Sequence, residues 1–173
     1  MFGLFLSHGF STEILSAQPA QEVAISPPLP GLENISDYLP PVVDPIRLEL
    51  DLNRRQVTVY QKDQIVKTYP VAIGRAGWET PAGSFAVKTM YRDPPWKHPF
   101  DGFVIPGGDP ENPLGRRWIG FWTDGRHWIG FHGTPTRDSV GRAASHGCVR
   151  MYDEDIEELF ELVALGTPIK VTR

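Results

Sequence analysis

The only cysteine of this 173-residue chain, Cys148, lies in the tetrapeptide Ser145-His146-Gly147-Cys148. A cysteine without a second one in its chain forms no intramolecular disulfide, and its small and polar neighbours differ from those of a thiol packed in a core. A second histidine, His132, lies 16 positions upstream, a separation that a loop between two elements can close. Because an imidazole in contact with a thiol can accept its proton, this arrangement predicts a cysteine nucleophile and its general base.

Gly147 has a predicted use beside the thiol. Without a Cβ it can adopt a positive φ and let a reacting carbonyl approach the backbone. The N–H groups of Gly147 and Cys148 are then predicted to face the oxygen that becomes negative during acyl transfer. A free thiol with a pKa near ~8.5 is only slightly ionised at neutral pH, so we expect His132 to hold Cys148 in a thiolate–imidazolium ion pair.

The segments around these residues resemble the L,D-transpeptidase catalytic domains of the YkuD type, the cysteine acyltransferases of the bacterial cell wall. The resemblance covers about residues 46–172, and it is specific because several motifs occur in the family's order with compatible spacing. The motifs are Tyr69-Pro70-Val71-Ala72-Ile73-Gly74, Glu79-Thr80-Pro81-Ala82-Gly83-Ser84-Phe85, Asn112-Pro113-Leu114-Gly115, His132-Gly133-Thr134 and Ser145-His146-Gly147-Cys148-Val149-Arg150-Met151.

The resemblance implies a mainly β fold, a β-sandwich or barrel with one helix in the C-terminal half. It implies an enzyme that forms an acyl-enzyme with peptidoglycan tetrapeptide stems, releases D-Ala and passes the acyl group to an amine. That amine belongs to a diamino acid of another stem or to a protein lysine, and water as acceptor gives an L,D-carboxypeptidase instead. The family needs no cofactor and no metal, works in the periplasm or cell envelope on cell wall organisation and cell shape, and is a carbapenem target.

The resemblance also assigns roles around the thiol. In the family a backbone carbonyl orients the catalytic histidine, and Gly133 is at the matching position. His146 lies beside the nucleophile, where we expect it to help shape the oxyanion site rather than only pack the loop. Arg150 would lie on the same side of an extended segment as the thiol, and its fork suits a substrate carboxylate. Ser145 and Thr134 can each bind the peptide or hold the loop, and both interpretations stay open.

Two other classes of protein remain as alternatives. A zinc site could draw on His127, His132, His146 and Cys148, although their spacing matches none of the common zinc frameworks. A non-catalytic wall-binding module could retain the fold, but the intact Cys148 and His132 argue against it. The metal content of the purified protein tests the first alternative, and thiol alkylation with an activity measurement tests the second.

The composition predicts one β-rich domain and excludes one class of partner. With 40% hydrophobic residues the chain can support one good core, while 17 glycines and 17 prolines indicate many turns. The net charge of -4, with no run of basic residues, argues against nucleic acid as a ligand. The resemblance, rather than the composition, implies peptidoglycan stem peptides as partners, with a protein amine as an alternative acceptor.

The chain divides into three predicted segments. Residues 1–17 are too short and too polar to span a bilayer, and no Lys or Arg precedes Arg47, so a signal remnant and a simple tail both remain possible interpretations. Residues 18–45 contain seven prolines and are predicted to be an extended linker. Residues 46–173 are predicted to be the catalytic domain, with no integral membrane segment.

Hydrophobic periodicity predicts the elements that position these residues. Residues 91–117 contain six prolines, and so long an irregular stretch is typical of a functional loop. A helix is predicted to begin with Asp153 as its N-cap, to bury Ile156 and Leu159, and to end at Gly166. The predicted strands cover residues 46–52, 56–60, 65–73, 84–90, 118–122, 127–132 and 169–171.

Overall fold

A computed structural model of the chain describes residues 45–98 and 101–173. They form the predicted mainly β fold, and the leader at 1–17 and nearly all of the linker at 18–45 lie outside the described residues. The elements are β1 (Ile46–Asp51), β2 (Gln56–Gln61), β3 (Gln64–Pro70), β4 (Ile73–Gly74), β5 (Gly83–Ala86), β6 (Thr89–Arg92), β7 (Trp96–Lys97), β8 (Val104–Ile105), β9 (Arg117–Thr123), β10 (Trp128–His132), a 3-10 turn (Arg137–Ser139), β11 (Ala143–Ser145), β12 (Val149–Arg150), α1 (Asp153–Leu162) and β13 (Pro168–Thr172).

The first sheet contains five strands in the order β3-β2-β1-β13-β5. Strands β1 to β3 form the predicted meander. In β1 apolar residues alternate with polar ones: Leu48 and Leu50 are buried, and the residues on either side of each are only partly buried. Strand β13 runs parallel to β1, with Ile169 opposite Leu48, and β5 pairs with its other edge. The first and last strands of the described region therefore lie side by side.

The second sheet contains four strands in the order β12-β10-β9-β6 and carries the residues of interest. Strands β9 and β10 form an antiparallel hairpin, in whose turn the Asp124 carboxylate accepts the N–H groups of Arg126 and His127. Strand β12 runs parallel to β10. This pairing brings the segment with the cysteine beside the strand that ends at His132.

Helix α1 covers part of the core and packs against β9 and β10. Its buried residues follow helical spacing, and the rings of Phe121 and Phe131 meet beneath the sheet with their centroids 5.2 Å apart. The predicted sandwich is confirmed, without closure into a barrel. Within residues 45–98 and 101–173, no helix is long and apolar enough to cross a membrane.

The helix begins differently from the prediction. Asp153 is not the N-cap: that position belongs to Tyr152, and no side chain makes a capping hydrogen bond. The Asp153 carboxylate instead accepts a hydrogen bond from the main-chain N–H of Thr134, in another loop. The last turn ends at Leu162, and Gly166 adopts a φ of 87° in the turn that follows.

Two predicted strands are shorter or divided in the structure. The strand predicted over 84–90 is two strands in different sheets, since the N–H of Val87 bonds to Thr167 and that of Lys88 bonds to Gly120. The strand predicted over 65–73 ends at Pro70, and Ala72 then pairs with Arg150 instead of with the first sheet. A local β pattern does not show which sheet a residue joins.

The proline-rich stretch 91–117 is held at its base by one buried side chain. The Asn112 amide donates to the carbonyls of Pro94 and Pro106, at 2.8 and 3.0 Å, and its oxygen accepts the N–H of Leu114 at 2.9 Å. The short strands β7 and β8 pair farther out in this stretch. The two ends of the loop are therefore fixed relative to each other.

We expect Ile169→Ala to lower the free energy of unfolding by roughly 2–5 kcal/mol, because it leaves a cavity between the sheets. Ile169 is 1% exposed, whereas Ile65, also in a strand of the first sheet, is 64% exposed. The matched variant Ile65→Ala should cost less than about 1 kcal/mol. Urea unfolding of both variants gives the comparison, and equal losses would contradict this account of the core.

Candidate active site

The register between β10 and β12 brings the predicted nucleophile and base to one face of the second sheet. Phe131 is paired with Val149, and His132 is paired with Arg150. Because side chains alternate along a strand, Cys148 and Arg150 share the face of His132, while the buried Phe131 and Val149 face the core. The cysteine follows Gly147 and precedes the first residue of β12, so the chain reaches the thiol through a turn.

His132 is held in a buried and oriented position. Its side chain is 4% exposed, and Nδ1 donates to the carbonyl oxygen of Gly133 at 2.5 Å. The imidazole also lies nearly parallel to the ring of Trp118, with centroids 6.2 Å apart. Burial lowers the pKa of His132 to about 4, although the carbonyls of Gly133 and Pro113 favour the protonated ring. The imidazole is therefore neutral at neutral pH, with Nε2 carrying the lone pair.

Cys148 is half-buried and also neutral. Its Sγ donates to the carbonyl oxygen of Trp128 at 3.6 Å. Burial raises the pKa of the thiol, and the N–H of Gly130 and the charge of Arg150 oppose this effect. Each of the two side chains donates to a main-chain carbonyl, Cys148 to that of Trp128 and His132 to that of Gly133. Burial therefore favours the neutral thiol and the neutral imidazole over the ion pair that the sequence analysis expects.

Ser145 organises the turn that carries the cysteine. Its buried hydroxyl donates to the carbonyl of Cys148 at 2.5 Å and accepts the N–H of Gly147 at 3.1 Å. Gly147 has a φ of 114°, and a Cβ there would lie 2.6 Å from Cδ1 of Ile129, so this position requires glycine. The Gly147 N–H, predicted to face the oxyanion, is bonded to Ser145 in this conformation.

Thr80 supports the same turn from the opposite side, and the sequence analysis gave it no role. Its buried hydroxyl donates to the carbonyl of Gly147 at 2.8 Å and accepts the N–H of Gly74 at 3.0 Å. A single buried hydroxyl thus joins the loop of residues 74–80 to residues 145–148, the turn that carries the predicted nucleophile and is called the nucleophile turn below. Its position inside the Glu79-Thr80-Pro81 motif was the available signal, but the partner 67 residues away was not evident from the sequence.

His146 points away from the core and lies against an arginine. Its Nε2 is 2.7 Å from a guanidinium nitrogen of Arg75, and its ring meets that of Trp78 edge to face, with centroids 4.9 Å apart. Partial burial and the charges of Arg75 and Arg150 lower the pKa of His146. The lowered pKa favours the neutral form of His146. Arg75, Trp78 and His146 are all exposed, and the sequence analysis gave no role to Arg75 or Trp78.

Thr134 and Arg150 occupy different surroundings. Thr134 is buried, its hydroxyl accepts the N–H of Thr136 at 3.2 Å, and its own N–H donates to Asp153. These bonds support the interpretation that Thr134 holds the loop. Arg150 is half-buried, and its positive charge acts on both the thiol and His132.

The residues of the zinc alternative do not come together. His127 is bound in the β9–β10 turn, where its Nδ1 lies 3.0 Å from an oxygen of Asp124. No group of three or more His, Cys, Asp or Glu side chains able to hold a metal ion occurs within the part of the chain that the structure describes. The four candidate ligands therefore do not form a zinc site.

The lowered pKa of His132 predicts a pH-dependent stability. Between pH 6.5 and about 4 the unfolded chain protonates this histidine and the folded chain does not, so the free energy of unfolding should fall as pH falls. The loss should be on the order of 3 kcal/mol across this range. We expect His132→Gln to lack it, so that the difference in unfolding free energy between wild type and variant shrinks from pH 7 to pH 4. A difference that is constant with pH would contradict the neutral, buried state of His132.

The sequence of this chain is similar to those of known proteins. The family model of the L,D-transpeptidase catalytic domain (YkuD) matches residues 45–171. YqjB of Bacillus subtilis is 37% identical over 126 residues, covering 70% of this chain and 69% of its own. YkuD of Bacillus licheniformis is 34% identical over 144 residues, covering 83% of this chain and 72% of its own. Both relatives carry L,D-transpeptidase in their names.

Solved structures show the same fold. An L,D-transpeptidase from Mycobacterium smegmatis superposes with a TM-score of 0.60 at 19% identity, over 74% of this chain and 58% of that one. A cysteine-to-serine mutant of the Enterococcus faecium L,D-transpeptidase gives 0.60 at 22% identity, over 76% and 51%. The chain spans between half and three fifths of the length of these proteins. On the match of the family model and the sequence relatives, the chain belongs to the L,D-transpeptidase catalytic domain family.

Proposed function

We propose that this protein is a cysteine-dependent L,D-transpeptidase acting on the tetrapeptide stems of peptidoglycan. The observation that carries the proposal is the pairing of β10 with β12, which puts Cys148, His132 and Arg150 on one face of the sheet. A thiol and a base on one surface can carry out acyl transfer from a peptide carbonyl, and a nearby cation stabilises the thiolate.

The first half-reaction forms the acyl-enzyme. The thiol leaves its contact with the Trp128 carbonyl and turns toward His132, whose Nε2 accepts the proton as Sγ attacks the carbonyl carbon. A C–S bond forms, the C–N bond to the terminal D-Ala breaks, and the proton passes from the imidazolium to the departing amine. The Gly133 carbonyl stabilises the imidazolium through Nδ1.

The negative oxygen formed in this step lies beside the nucleophile turn. We assign its stabilisation to the N–H groups of Cys148 and Gly147, the second of which would exchange its Ser145 acceptor for the oxyanion. Arg150 stabilises the thiolate and binds a carboxylate of the stem, since its charge already acts on the thiol. His146, held by Arg75, borders the oxyanion site, and Ser145 and Thr134 hold the loops that carry the thiol and the base.

The second half-reaction transfers the acyl group to an amine. The acceptor amine attacks the thioester, its proton passes through His132 to the sulfur, and the free thiol is restored. The acceptor we propose is the side-chain amine of a diamino acid on another stem or a protein lysine, and the cell envelope is the location we propose for the reaction. Water in the same position gives the L,D-carboxypeptidase reaction.

Incubation of the full chain with purified tetrapeptide muropeptides tests the proposal. We expect mass spectrometry to find cross-linked dimers and released D-Ala, because the acyl group is passed to a stem amine. Cys148→Ala should form neither, while retaining the wild-type unfolding midpoint in urea. Tripeptide products without dimers would identify a carboxypeptidase, and unchanged substrate with bound muropeptide would identify a wall-binding module.

A carbapenem should acylate Cys148 once per chain. A strained lactam carbonyl offers the thiolate the same kind of electrophile as the stem peptide, and a solved relative of this fold, LdtMt1, is described in complex with imipenem. Intact mass measurement should show one drug equivalent on the wild type, none on Cys148→Ala, and slower addition to His132→Gln. An unmodified wild-type mass, under conditions where iodoacetamide still labels Cys148, would show that the acyl-transfer site is not formed.

A further inference from the structure

The half-buried carboxylate of Asp153 has a partner outside its own helix. Asp153 is the first residue of α1, yet it makes no capping bond there. Its Oδ1 accepts the main-chain N–H of Thr134 at 3.1 Å, across 19 positions of sequence. A partly buried carboxylate that is aimed at a single peptide N–H in another loop calls for a reason beyond helix formation.

The peptide group that it contacts is the one that orients the predicted base. The N–H of Thr134 and the C=O of Gly133 belong to the same peptide bond. The N–H donates to Asp153, and the C=O accepts from Nδ1 of His132 at 2.5 Å. Carboxylate, peptide group and imidazole therefore form one continuous chain of hydrogen bonds.

Two glycines make room for this chain. A Cβ at Gly133 would lie 2.0 Å from Oδ1 of Asp153, and a Cβ at Gly115 would lie 2.5 Å from the same oxygen. Gly115 also has a φ of 63°, which favours glycine. The absence of side chains at both positions lets the carboxylate approach the peptide group.

We propose that Asp153 is a positioning residue for the catalytic base, acting on His132 through the Gly133–Thr134 peptide group. The inference rests on the proposed function, in which His132 accepts the proton of Cys148. Within residues 45–98 and 101–173, His132 is hydrogen-bonded to a main-chain carbonyl and not to a carboxylate. The peptide group transmits the charge of Asp153 instead.

The physical basis is the polarisation of one hydrogen bond by the next. A carboxylate that attracts the Thr134 N–H draws electron density toward the carbonyl oxygen of Gly133, which becomes a better acceptor for Nδ1–H. This fixes the tautomer that leaves Nε2 free, and it favours the imidazolium formed during attack. Other charges act on the same groups: Glu154 and Glu157 from α1 and Arg137 and Arg116 from the loops face Asp153, while Arg150 faces His132.

The test separates charge from hydrogen bonding in the full chain. Asp153→Asn keeps an oxygen for the Thr134 N–H and removes the charge. Asp155→Asn is the matched control, because it removes the same charge two residues away in the same helix turn, on a half-buried side chain. Nitrogen-15 NMR of the imidazole reports the tautomer and pKa of His132 in each variant without requiring any enzymatic activity.

We expect Asp153→Asn to lower the proton affinity of His132 by about threefold or more and to slow alkylation of Cys148 by a similar factor. Asp155→Asn should change both by less than half as much. Equal His132 titration in the two variants would overturn the proposal and assign Asp153 a structural role. An inactive wild type with the expected difference in titration would instead overturn the proposed function and leave the coupling intact.

A measurement on the wild type covers the case in which Asp153→Asn fails to fold. The imidazole nitrogen-15 shifts give the midpoint of His132 separately, because that ring also contacts the Gly133 carbonyl. Beyond that titration, the carbonyl carbon-13 shift of Gly133 and the amide proton shift of Thr134 should show a further step at the midpoint of the Asp153 carboxyl. If the Gly133 carbonyl shift stays constant while Asp153 titrates, the peptide group does not transmit the charge and the proposal fails.

Discussion

The parallel pairing of β12 with β10 is the constraint on which the rest of the site depends. Strand β12 has only two residues, so its register is set by what lies on either face. A slip of one residue would turn Cys148 and Arg150 into the core and expose Val149. Val149 and its partner Phe131 are fully buried, and the core therefore holds the thiol on the outer face.

Buried hydroxyl groups extend this control beyond the short strand. The turn before Cys148 has too few residues for a ladder, and its polar main-chain groups are bonded to Ser145 and Thr80 instead. A buried hydroxyl that both donates and accepts satisfies two main-chain groups at once, and leaving either unpaired costs about 1–3 kcal/mol. The thiol of Cys148 is thus held in place by the core on one side and by a polar network on the other.

Much of this arrangement follows from local sequence signals. The alternation in β1, the helical spacing of Ile156 and Leu159, and the single Cys148 behind a glycine each predicted a feature that depends on neighbouring residues. The contacts of Thr80 and Asp153 were not predictable in this way, because each joins segments far apart in the chain. The position of Asp153 before a helical pattern also predicted a helix cap, and the sequence analysis therefore did not predict its contact with the Thr134 N–H.

The effect of burial on the pKa values of Cys148 and His132 could not be predicted from the sequence, for another reason. The residue types of Cys148 and His132 suggest an ion pair, but the charge state depends on how much water reaches each group, which only the fold determines. Burial opposes the thiolate and the imidazolium alike.

The same burial has a consequence for the oxidation of the protein. Peroxides and disulfides react with a thiolate, and the protonated thiol of Cys148 is a slow target for both. The chain contains no second cysteine that could return a sulfenic acid to the reduced state through an internal disulfide. A thiol that burial holds in its protonated form is thus protected in a chain that has no resolving cysteine.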